Sequence, residues 1–516
     1  MEKVDDCFHL CDNYIERPLG RGTHMKLASL LTHITYQLLE GTVCVSVSGI
    51  TNDTRNLKKG EVFVCVEGWR QDGHIFAAEA VKKGASALVV SHPVSGPWGI
   101  TVLQTEDTRA ALAFMSAAFY GYPAERMKVI GITGTKGKTT TAWMLQTILN
   151  HAGIKTGLVG TIATDTGIRR FPSSHTTPES CLLMKYLKEM EEAGCSCAVM
   201  EVSSQALKMK RTASIPFHTA VFTNLGEDHI GPGEHESPED YRKCKHLLFL
   251  QCKTGIGNLD DPNYEEMFSG TDCKKITFSV REKADYRGIH VVTSGDEKGV
   301  GMSFEIEQRK GRFFLPMPGL YNVYNALAAA ACAMELGVRE EIIRSALSQI
   351  RVPGRMEYIS EGEREGVFLD YAHNAMSLEN VLKTLKSCTE GRIIAVFGCG
   401  GGRSRLRRSE MGEVAGRLAD LTVVTSDNPR DELPEAIIQD IVKGIEKTKG
   451  KYCVIPDRRE AVAWAVERKK PQDAVLIAGK GHETYQEIRG IKYPMDDRIT
   501  IKKALSEKVK GQTAEE

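Results

Sequence analysis

The residues best placed to do chemistry are Gly131-Ile-Thr-Gly-Thr-Lys-Gly-Lys-Thr-Thr-Thr141. An apolar run, Met127-Lys-Val-Ile130, leads straight into this glycine-rich turn, and an amphipathic stretch with Met144, Leu145, Ile148 and Leu149 on one face follows it. A strand, a glycine turn and Lys-Thr opening a helix wrap backbone N–H groups around phosphate, while the lysine and a hydroxyl reach the terminal phosphate and its magnesium. Gly134, Thr135, Lys136, Gly137, Lys138, Thr139 and Thr140 are therefore the expected ATP-binding residues. The spacing is not that of a strict Walker A loop, because glycines fall at 131, 134 and 137 and Ile132 stands where the first glycine belongs. A turn rich in glycine by chance would not coincide with strand, Gly-Lys-Thr-Thr and helix together.

Other residues carry chemistry less plainly. Glu201 closes the apolar run Ala198-Val-Met200, where a carboxylate can hold magnesium through oxygen; the alternative is a solvated glutamate. His229 alone reads as structural, and Lys245, four residues after Tyr241, reads as an ordinary position on a helix surface. Asp427-Asn428-Pro429-Arg430 and Gly479-Lys-Gly-His-Glu483 each end a strand-like run. A carboxylate-bearing substrate suits the planar fork of arginine, which Arg430 or Arg403 supplies, and a second ammonium suits an acid such as Glu483. Taken alone, Asp-Asn-Pro-Arg is equally an N-cap aspartate followed by a surface arginine.

These residues need sheets to place them. Val62–Val66 and Ala87–Val90 read as strands and His74–Lys83 as a short helix, giving a small α/β module over about 25–125. Ala198–Met200 and Ala220–Phe222 have the compact, doubly buried character of parallel strands, and ligands gather at the carboxyl ends of such strands. An alternating, β-rich stretch at about 275–316 interrupts the pattern, and Asn325–Leu336 is alanine-rich helix. From Pro353 onward, strands at Ile393–Phe397, Leu421–Val424 and Ala474–Ala478 alternate with helices in a Rossmann-like rhythm. The expected fold is α/β in three domains. An N-terminal α/β domain spans 25–125, a P-loop-type, mostly parallel central domain 126–350 and a Rossmann-like C-terminal domain 351–516, with 1–24 an extension of unknown role.

A chain of 516 residues exceeds one core, at roughly 150 residues per domain. Lysine plus arginine equals aspartate plus glutamate, 67 each, so the basic excess of a nucleic-acid binder is lacking. The cluster Arg403-Ser-Arg-Leu-Arg-Arg408 suits small anions. The 14 cysteines contain no Cys-x-x-Cys pair, and Cys195 and Cys197 read as alternate strand residues, so reduced thiols are expected. No apolar run approaches the ~18–20 residues of a membrane span. A cytoplasmic monomer is expected, without nucleic-acid or membrane partners.

The Gly-Thr-x-Gly-Lys-Thr-Thr variant resembles the Mur ligase family. Thr176-Thr-Pro178, Met200-Glu-Val-Ser-Ser204, Asn224-Leu-Gly-Glu-Asp-His229, Tyr241-Arg-Lys-Cys-Lys-His-Leu-Leu-Phe249, Pro318-Gly-Leu-Tyr-Asn-Val-Tyr-Asn325, Pro353-Gly-Arg-Met-Glu357 and Asp370-Tyr-Ala-His-Asn374 follow in that family's order. The resemblance covers 25–510 and is strongest to the branch that adds the third residue of the peptidoglycan stem peptide. It implies ATP and Mg²⁺ as cofactors, Lys138, Glu201, His229 and a carbamylated Lys245 as catalytic residues, and Thr139, Glu201, His229 and Lys245 around the metal. Asn325, Arg355, Asp370 and His373 join the nucleotide site. Thr54, in Asp53-Thr-Arg55, and Gly68-Trp-Arg-Gln-Asp-Gly73 lie on the uridine side; Thr176, Thr177, Ser203 and Arg211 hold the muramoyl dipeptide.

Arg403, Asp427, Asn428, Pro429, Arg430, Gly479 and Glu483 resemble a meso-diaminopimelate site. The sequence departs from the family at Thr54, His175, Met209 and the stretch after Arg403. The implied reaction joins meso-diaminopimelate to UDP-N-acetylmuramoyl-L-alanyl-D-glutamate through an acyl phosphate, with the third domain closing over the second to exclude water. The alternatives are a lysine-adding or folylpolyglutamate-type ligase, a non-catalytic nucleotide binder on the same fold, and a P-loop phosphotransferase.

Overall fold

The computed structural model describes residues 24–68, 71–96, 98–226, 230–231, 234–296, 299–360 and 366–515. Residues 1–23 of the expected extension, Trp69 and Arg70 of the uridine-side motif, and His229 lie outside the described residues. The chain forms two compact units, one of Met1–Ala142, Gly153–Gly257 and Asp261–Ile276, the other of Trp143–Ala152, Asn258–Asp260 and Thr277–Glu516.

The first unit holds the short antiparallel pair Met25–Lys26 with Ser46–Val47 and two larger sheets. In the smaller one, Gln37–Glu40, Thr101–Gln104, Ala87–Val90, Glu61–Val64 and Gly49–Thr51 lie side by side, parallel except for the antiparallel edge strand Gln37–Glu40. Strand periodicity of two sends Val62, Val64 and Val89 into a core with Leu112 and Met115 of the helix Thr108–Phe119, and Phe63, Leu88 and Val90 into a second core. The expected helix over His74–Lys83 is instead a 3₁₀ turn, Gly73–Phe76, continued by the helix Ala77–Lys82. Asp72 is the reason: its carboxylate accepts from the His74 N–H and starts the turn one residue early.

The larger sheet of this unit runs Arg170–Pro172, Ala163–Asp165, Thr156–Val159, Cys197–Glu201, Lys128–Thr133, Phe217–Phe222, Cys252–Asn258. The last five strands are mutually parallel. Lys128–Thr133 comes first among these five in the chain but sits in the middle, so successive strands lie on one side of it and then on the other. That reversal opens a crevice at the carboxyl ends, the place where open α/β sheets bind ligands. The glycine turn, Glu201 and Thr223-Asn224 all stand there. After the turn, the helix Lys138–His151 buries Met144, Leu145, Ile148 and Leu149 completely, as its period of 3.6 requires.

In the second unit, Tyr286–Asp296, Gly299–Ile306 and Arg312–Leu315 form an antiparallel meander, which accounts for the alternating stretch in the sequence. The alanine-rich helix is longer than expected, Leu320–Glu335, because Gly319 at φ +105° begins it earlier. A six-stranded sheet follows in the order Glu357–Ser360, Gly366–Leu369, Ala474–Ile477, Ile393–Phe397, Leu421–Val424, Tyr452–Val454, parallel apart from its first pair. Ile393, Ala395 and Phe397 face the helices Ala375–Cys388, Arg405–Leu418 and Pro434–Glu446, while Ile394 and Val396 face Arg458–Glu467 and Asp497–Glu515. This is the doubly wound arrangement the sequence rhythm announced.

Among the described residues all twelve cysteines are free, and no helix is long and apolar enough to cross a membrane. Cys197 opens its strand, but Cys195 sits in the turn before it, so the two are not alternate strand residues.

Candidate active site

The phosphate loop is held by hydrogen bonds to the neighbouring strand end. Thr135 N–H donates to the Asn224 carbonyl at 2.8 Å, Lys136 N–H to Asn224 Oδ1 at 2.9 Å, and Thr223 Oγ1 to the Lys136 carbonyl at 2.7 Å. Gly134 has φ +148°, and a Cβ there would meet Thr223 Oγ1 at 2.0 Å; Gly137 has φ +87°. Both positions need glycine, for conformation and for close approach. Lys138 Nζ donates to the carbonyls of Gly134 at 2.7 Å and Thr135 at 3.1 Å, so the ammonium lies over the mouth of the loop. Thr139 and Thr140, in the first turn of the helix, are buried.

Glu201 ends the adjacent strand and is 1% exposed. Its Oε2 accepts from Thr139 Oγ1 at 2.8 Å and Thr161 Oγ1 at 3.0 Å, and its Oε1 from Thr161 N–H at 2.6 Å. Among the described residues no cationic side chain pairs with it. A buried carboxylate held only by hydroxyl and amide donors is a hard oxygen ligand short of positive charge, which fits a divalent cation. The same hydroxyls continue outward: Thr161 Oγ1 lies 3.0 Å from Thr176 Oγ1, Thr177 Oγ1 donates to the Glu201 carbonyl at 2.8 Å, and Ser203 N–H donates to Thr177 Oγ1 at 3.1 Å. Arg211 closes the chain, with Nη1 on the Thr177 carbonyl at 3.0 Å and Nη2 paired with Glu179. Ser203 also caps the helix Ser204–Lys208. Four residues expected to hold the dipeptide and two expected to hold the metal, Thr139 and Glu201, thus form one network.

Lys245 is not the surface residue its helical spacing suggests. It is 1% exposed, on the inner face of the helix Pro238–His246. Its Nζ donates to the Gly134 carbonyl at 2.9 Å and stands 4.4 Å from the centre of the Tyr241 ring. Tyr241 Oη in turn lies 3.2 Å from Thr135 Oγ1, so this helix braces the phosphate loop. Beside it, His235 Nδ1 lies 3.0 Å from Asp240 Oδ2 and Nε2 lies 2.9 Å from Ser204 Oγ. Burial pushes the His235 imidazole below its usual pKa, against the pull of Asp240. In the smaller sheet, Thr54 is buried, with its carbonyl on Lys83 Nζ at 2.9 Å, while Arg55 forks onto Asp53 with two bonds of 2.8 Å.

The second unit carries the rest. Asn325 is buried on the helix Leu320–Glu335, with Nδ2 on Asn322 Oδ1 at 3.3 Å. Asp370 accepts from Met356 N–H and Ala372 N–H, both at 2.8 Å, and burial raises its pKa against the opposing charge of Arg355. The Arg355 guanidinium lies 4.6 Å from the Tyr371 ring centre, and the exposed His373 reaches the Tyr371 carbonyl at 2.8 Å.

At the carboxyl ends of Leu421–Val424 and Ala474–Ile477, Asp427 and Asn428 are buried and belong to no helix cap. The N-cap reading of Asp-Asn-Pro-Arg is therefore set aside. Asn428 Nδ2 donates to Glu483 Oε2 at 2.9 Å, and the fully buried Lys480 donates to Asn428 Oδ1 at 3.0 Å and to Glu483 Oε2 at 3.1 Å. Gly479, φ +106°, passes so close that a Cβ would meet Asp427 Oδ2 at 2.7 Å. Arg430 has φ +52° and donates from Nη1 to the Gly401 carbonyl at 2.5 Å and from Nε to Glu487 Oε2 at 3.3 Å. Pro429 packs at Gly401, while Arg403 is exposed to solvent two residues further on.

Three family models match in order: "Mur ligase family, catalytic domain" at 46–120, "Mur ligase middle domain" at 132–333 and "Mur ligase, glutamate ligase domain" at 354–481. A protein of Caldanaerobacter subterraneus subsp. tengcongensis, named UDP-N-acetylmuramoyl-L-alanyl-D-glutamate–2,6-diaminopimelate ligase, is 41% identical over 487 residues, 94% of this chain and 100% of that one. One of the same name from Syntrophomonas wolfei is 39% identical over 495 residues, again 94% and 100%. The chain belongs to the Mur ligase family. A solved structure of a UDP-N-acetylmuramoyl-L-alanyl-D-glutamate–2,6-diaminopimelate ligase is 27% identical and superposes with a TM-score of 0.67 over 94% of this chain and 100% of the other. As a Mur ligase it is an ATP-dependent enzyme that forms amide bonds.

In this Mur ligase the sequence missed several residues. Thr161 lies just past the strand Thr156–Val159, and only the glycine before it, whose Cβ would meet Glu201 Oε1 at 2.5 Å, hinted at a close approach. Lys480 stood inside a motif already singled out, yet nothing in its neighbours announced burial. Arg458 and Asp497 are fully buried and joined at 2.8–3.3 Å, and Arg458 Nη2 also donates to the Ala478 carbonyl at 2.9 Å. They lie near the start of the helices Arg458–Glu467 and Asp497–Glu515, in no motif that the sequence singled out.

Proposed function

We propose that this Mur ligase adds meso-2,6-diaminopimelate to UDP-N-acetylmuramoyl-L-alanyl-D-glutamate, forming the tripeptide precursor of peptidoglycan. The names of its relatives at about 40% identity over nearly full length support that substrate pair. The observation that carries the choice of amino acid is Arg430, held with its guanidinium on the Gly401 carbonyl and Glu487, two residues along the chain from Asn428 of the Asn428–Glu483–Lys480 cluster. A diamino acid with a second carboxylate needs such a fork, and one without it does not.

The D-glutamyl carboxylate attacks the γ-phosphorus of ATP, ADP leaves, and the amine of the diamino acid then displaces phosphate from the acyl carbon. Lys138 and the loop amides stabilise the charge spread over the transferred phosphoryl. Thr176, Thr177, Ser203 and Arg211 orient the dipeptide, and their shared network with Glu201 fixes the carboxylate where phosphate arrives. Thr54, together with Arg55 and the Gly68–Gly73 segment, is assigned to the uridine end, and Asn325, Arg355, Asp370 and His373 to the nucleotide. Glu201 and Thr139 would hold Mg²⁺, with His229 and Lys245 as further ligands; when bound, the ion neutralises phosphate charge. Lys245 as a carbamate would bring an anion to that group, whereas its ammonium would repel the ion.

Asp427, Asn428, Pro429, Gly479, Glu483 and the exposed Arg403 complete the amino-acid site. Because Lys480 already neutralises Glu483, a substrate ammonium would be its second cation, and Asp427, whose carboxylate lies 3.9 Å from Arg458 Nη1, is a further acid of the same cluster. The test is phosphate release with UDP-muramoyl dipeptide and ATP against meso-diaminopimelate, L-lysine, L-ornithine and D-amino acids. Turnover with meso-diaminopimelate is expected; turnover with L-lysine alone would overturn the choice of amine.

A further inference from the structure

Glu487 lies on the hairpin Tyr485–Ile488 and Ile491–Pro494, which packs its first strand against the Asp427–Arg430 loop. Its carboxylate takes a single hydrogen bond from Arg430, Nε to Oε2 at 3.3 Å, and both side chains are about a quarter to a third exposed. The other arginine contact, Nη1 to the Gly401 carbonyl at 2.5 Å, involves no charge. Nη2 makes no hydrogen bond among the described residues. Arginine presents Nε and Nη2 as one edge that fits a carboxylate with two parallel bonds. Here Glu487 uses half of that edge and leaves the other half open.

The backbone does the structural work separately. Arg430 N–H donates to the Glu487 carbonyl at 3.1 Å, Arg489 N–H to the Arg430 carbonyl at 2.9 Å, and Glu487 N–H to Asn428 Oδ1 at 2.9 Å. These three bonds hold Arg430 in its left-handed conformation whatever side chain stands at 487. The carboxylate of Glu487 is thus free to be displaced without loosening the loop.

We propose that Glu487 is a specificity-determining residue: an internal carboxylate that pairs with Arg430 until an incoming carboxylate takes the whole Nε–Nη2 edge. This rests on the reading of Arg430 as the partner of the amino acid's distal carboxylate. A diamino acid that brings a carboxylate gains a two-bond contact but must first displace Glu487. One that lacks it leaves Arg430 paired with Glu487 instead of desolvated and alone. Glu487 therefore narrows the gap between the two substrate types from both sides, since discrimination is a difference of affinities.

The test compares steady-state kinetics of the wild type with Glu487→Gln, which keeps the shape and the backbone bonds and removes the charge. A partly exposed ion pair with one long hydrogen bond is weak, so each change is expected to be about threefold: a lower KM for meso-diaminopimelate with kcat unchanged, and a higher KM or inhibition constant for L-lysine. The preference between them then widens about tenfold. In an Arg430→Gln background, Glu487→Gln should change neither constant. A preference that stays the same or narrows, or a change that persists without Arg430, overturns the role of Glu487. A wild type that does not use meso-diaminopimelate at all overturns the underlying choice of amine instead, so the two failures are told apart.

Discussion

Glu201, buried, and His482, half-buried, are held by opposite surroundings. Glu201 is surrounded by hydroxyl and amide donors, an oxygen site that fits a divalent cation. Glu201→Gln should leave the urea midpoint nearly unchanged, because the amide oxygen can still accept from Thr161 N–H. It should also lower kcat by about 10²-fold or more and raise the Mg²⁺ concentration needed for half-maximal rate. A variant with normal Mg²⁺ dependence would remove Glu201 from the metal site. His482 is kept neutral: burial first, then the charges of Arg355, Arg498 and Lys480, push its pKa from 6.5 down to about 3. Among the described residues its Nδ1 has no hydrogen-bond partner to reward the proton. The unfolded chain binds that proton near pH 6.5 and the folded chain does not, so stability is complete above about 6.5 and is lost as pH falls toward 3. Between pH 8 and pH 5 the wild type should lose about 2 kcal/mol more than His482→Asn in urea unfolding. Parallel acid limbs for the two proteins would show that the imidazole is protonated in the fold.

At the scale of elements, the buried pair Arg458–Asp497 joins the helices Arg458–Glu467 and Asp497–Glu515 under the carboxyl end of Ala474–Ile477. Removing one partner leaves the other charged and dry. Arg458→Met should cost about 3–5 kcal/mol, and adding Asp497→Leu should restore most of it. Because Arg458 Nη1 also lies 3.9 Å from Asp427, the double variant should regain stability but keep a raised KM for the amino acid. Recovery of both would make the pair purely structural, and recovery of neither would point to a packing fault. Such pairs mark the limit of what was legible in the sequence. Ile393–Phe397 and Leu421–Val424 were readable to the residue, because continuous apolar runs in a parallel sheet have sharp ends. The strand, glycine turn and helix around Gly131–Thr141 were readable too, since their glycines and apolar residues act through neighbours in the chain. Lys245, Lys480 and Arg458 were not. Each is a cation on a polar stretch, and only contacts made across tens of residues decide that it is buried rather than solvated. Thr161 was hidden for the same reason, being tied to Glu201 forty residues away.

For the whole molecule, two side-chain clusters divide the proposed chemistry in time. The phosphate loop, Glu201 and the dipeptide network belong to the first unit, and the Asp427–Arg430 and Lys480–Glu483 cluster to the second. Acyl phosphate formation needs only the acid substrate and ATP, whereas amide formation needs the diamino acid as well. Substitutions at these two clusters should therefore separate the half-reactions. Lys138→Ala should abolish both the exchange of label from ADP into ATP that depends on UDP-muramoyl dipeptide and the overall release of phosphate, because charge on the transferred phosphoryl is left unbalanced. Arg430→Ala should leave the exchange within about twofold of wild type and lower kcat/KM for meso-diaminopimelate by about 10²-fold, the worth of a two-bond arginine–carboxylate contact. Without the muramoyl dipeptide, neither wild type nor variant should release phosphate at an appreciable rate. An Arg430→Ala protein that lost exchange and amide formation together would mean that the amino-acid cluster takes part before the acyl phosphate exists. Vigorous phosphate release by the wild type with ATP alone would instead place the chain among simple phosphohydrolases and remove the acid substrate from its role as nucleophile.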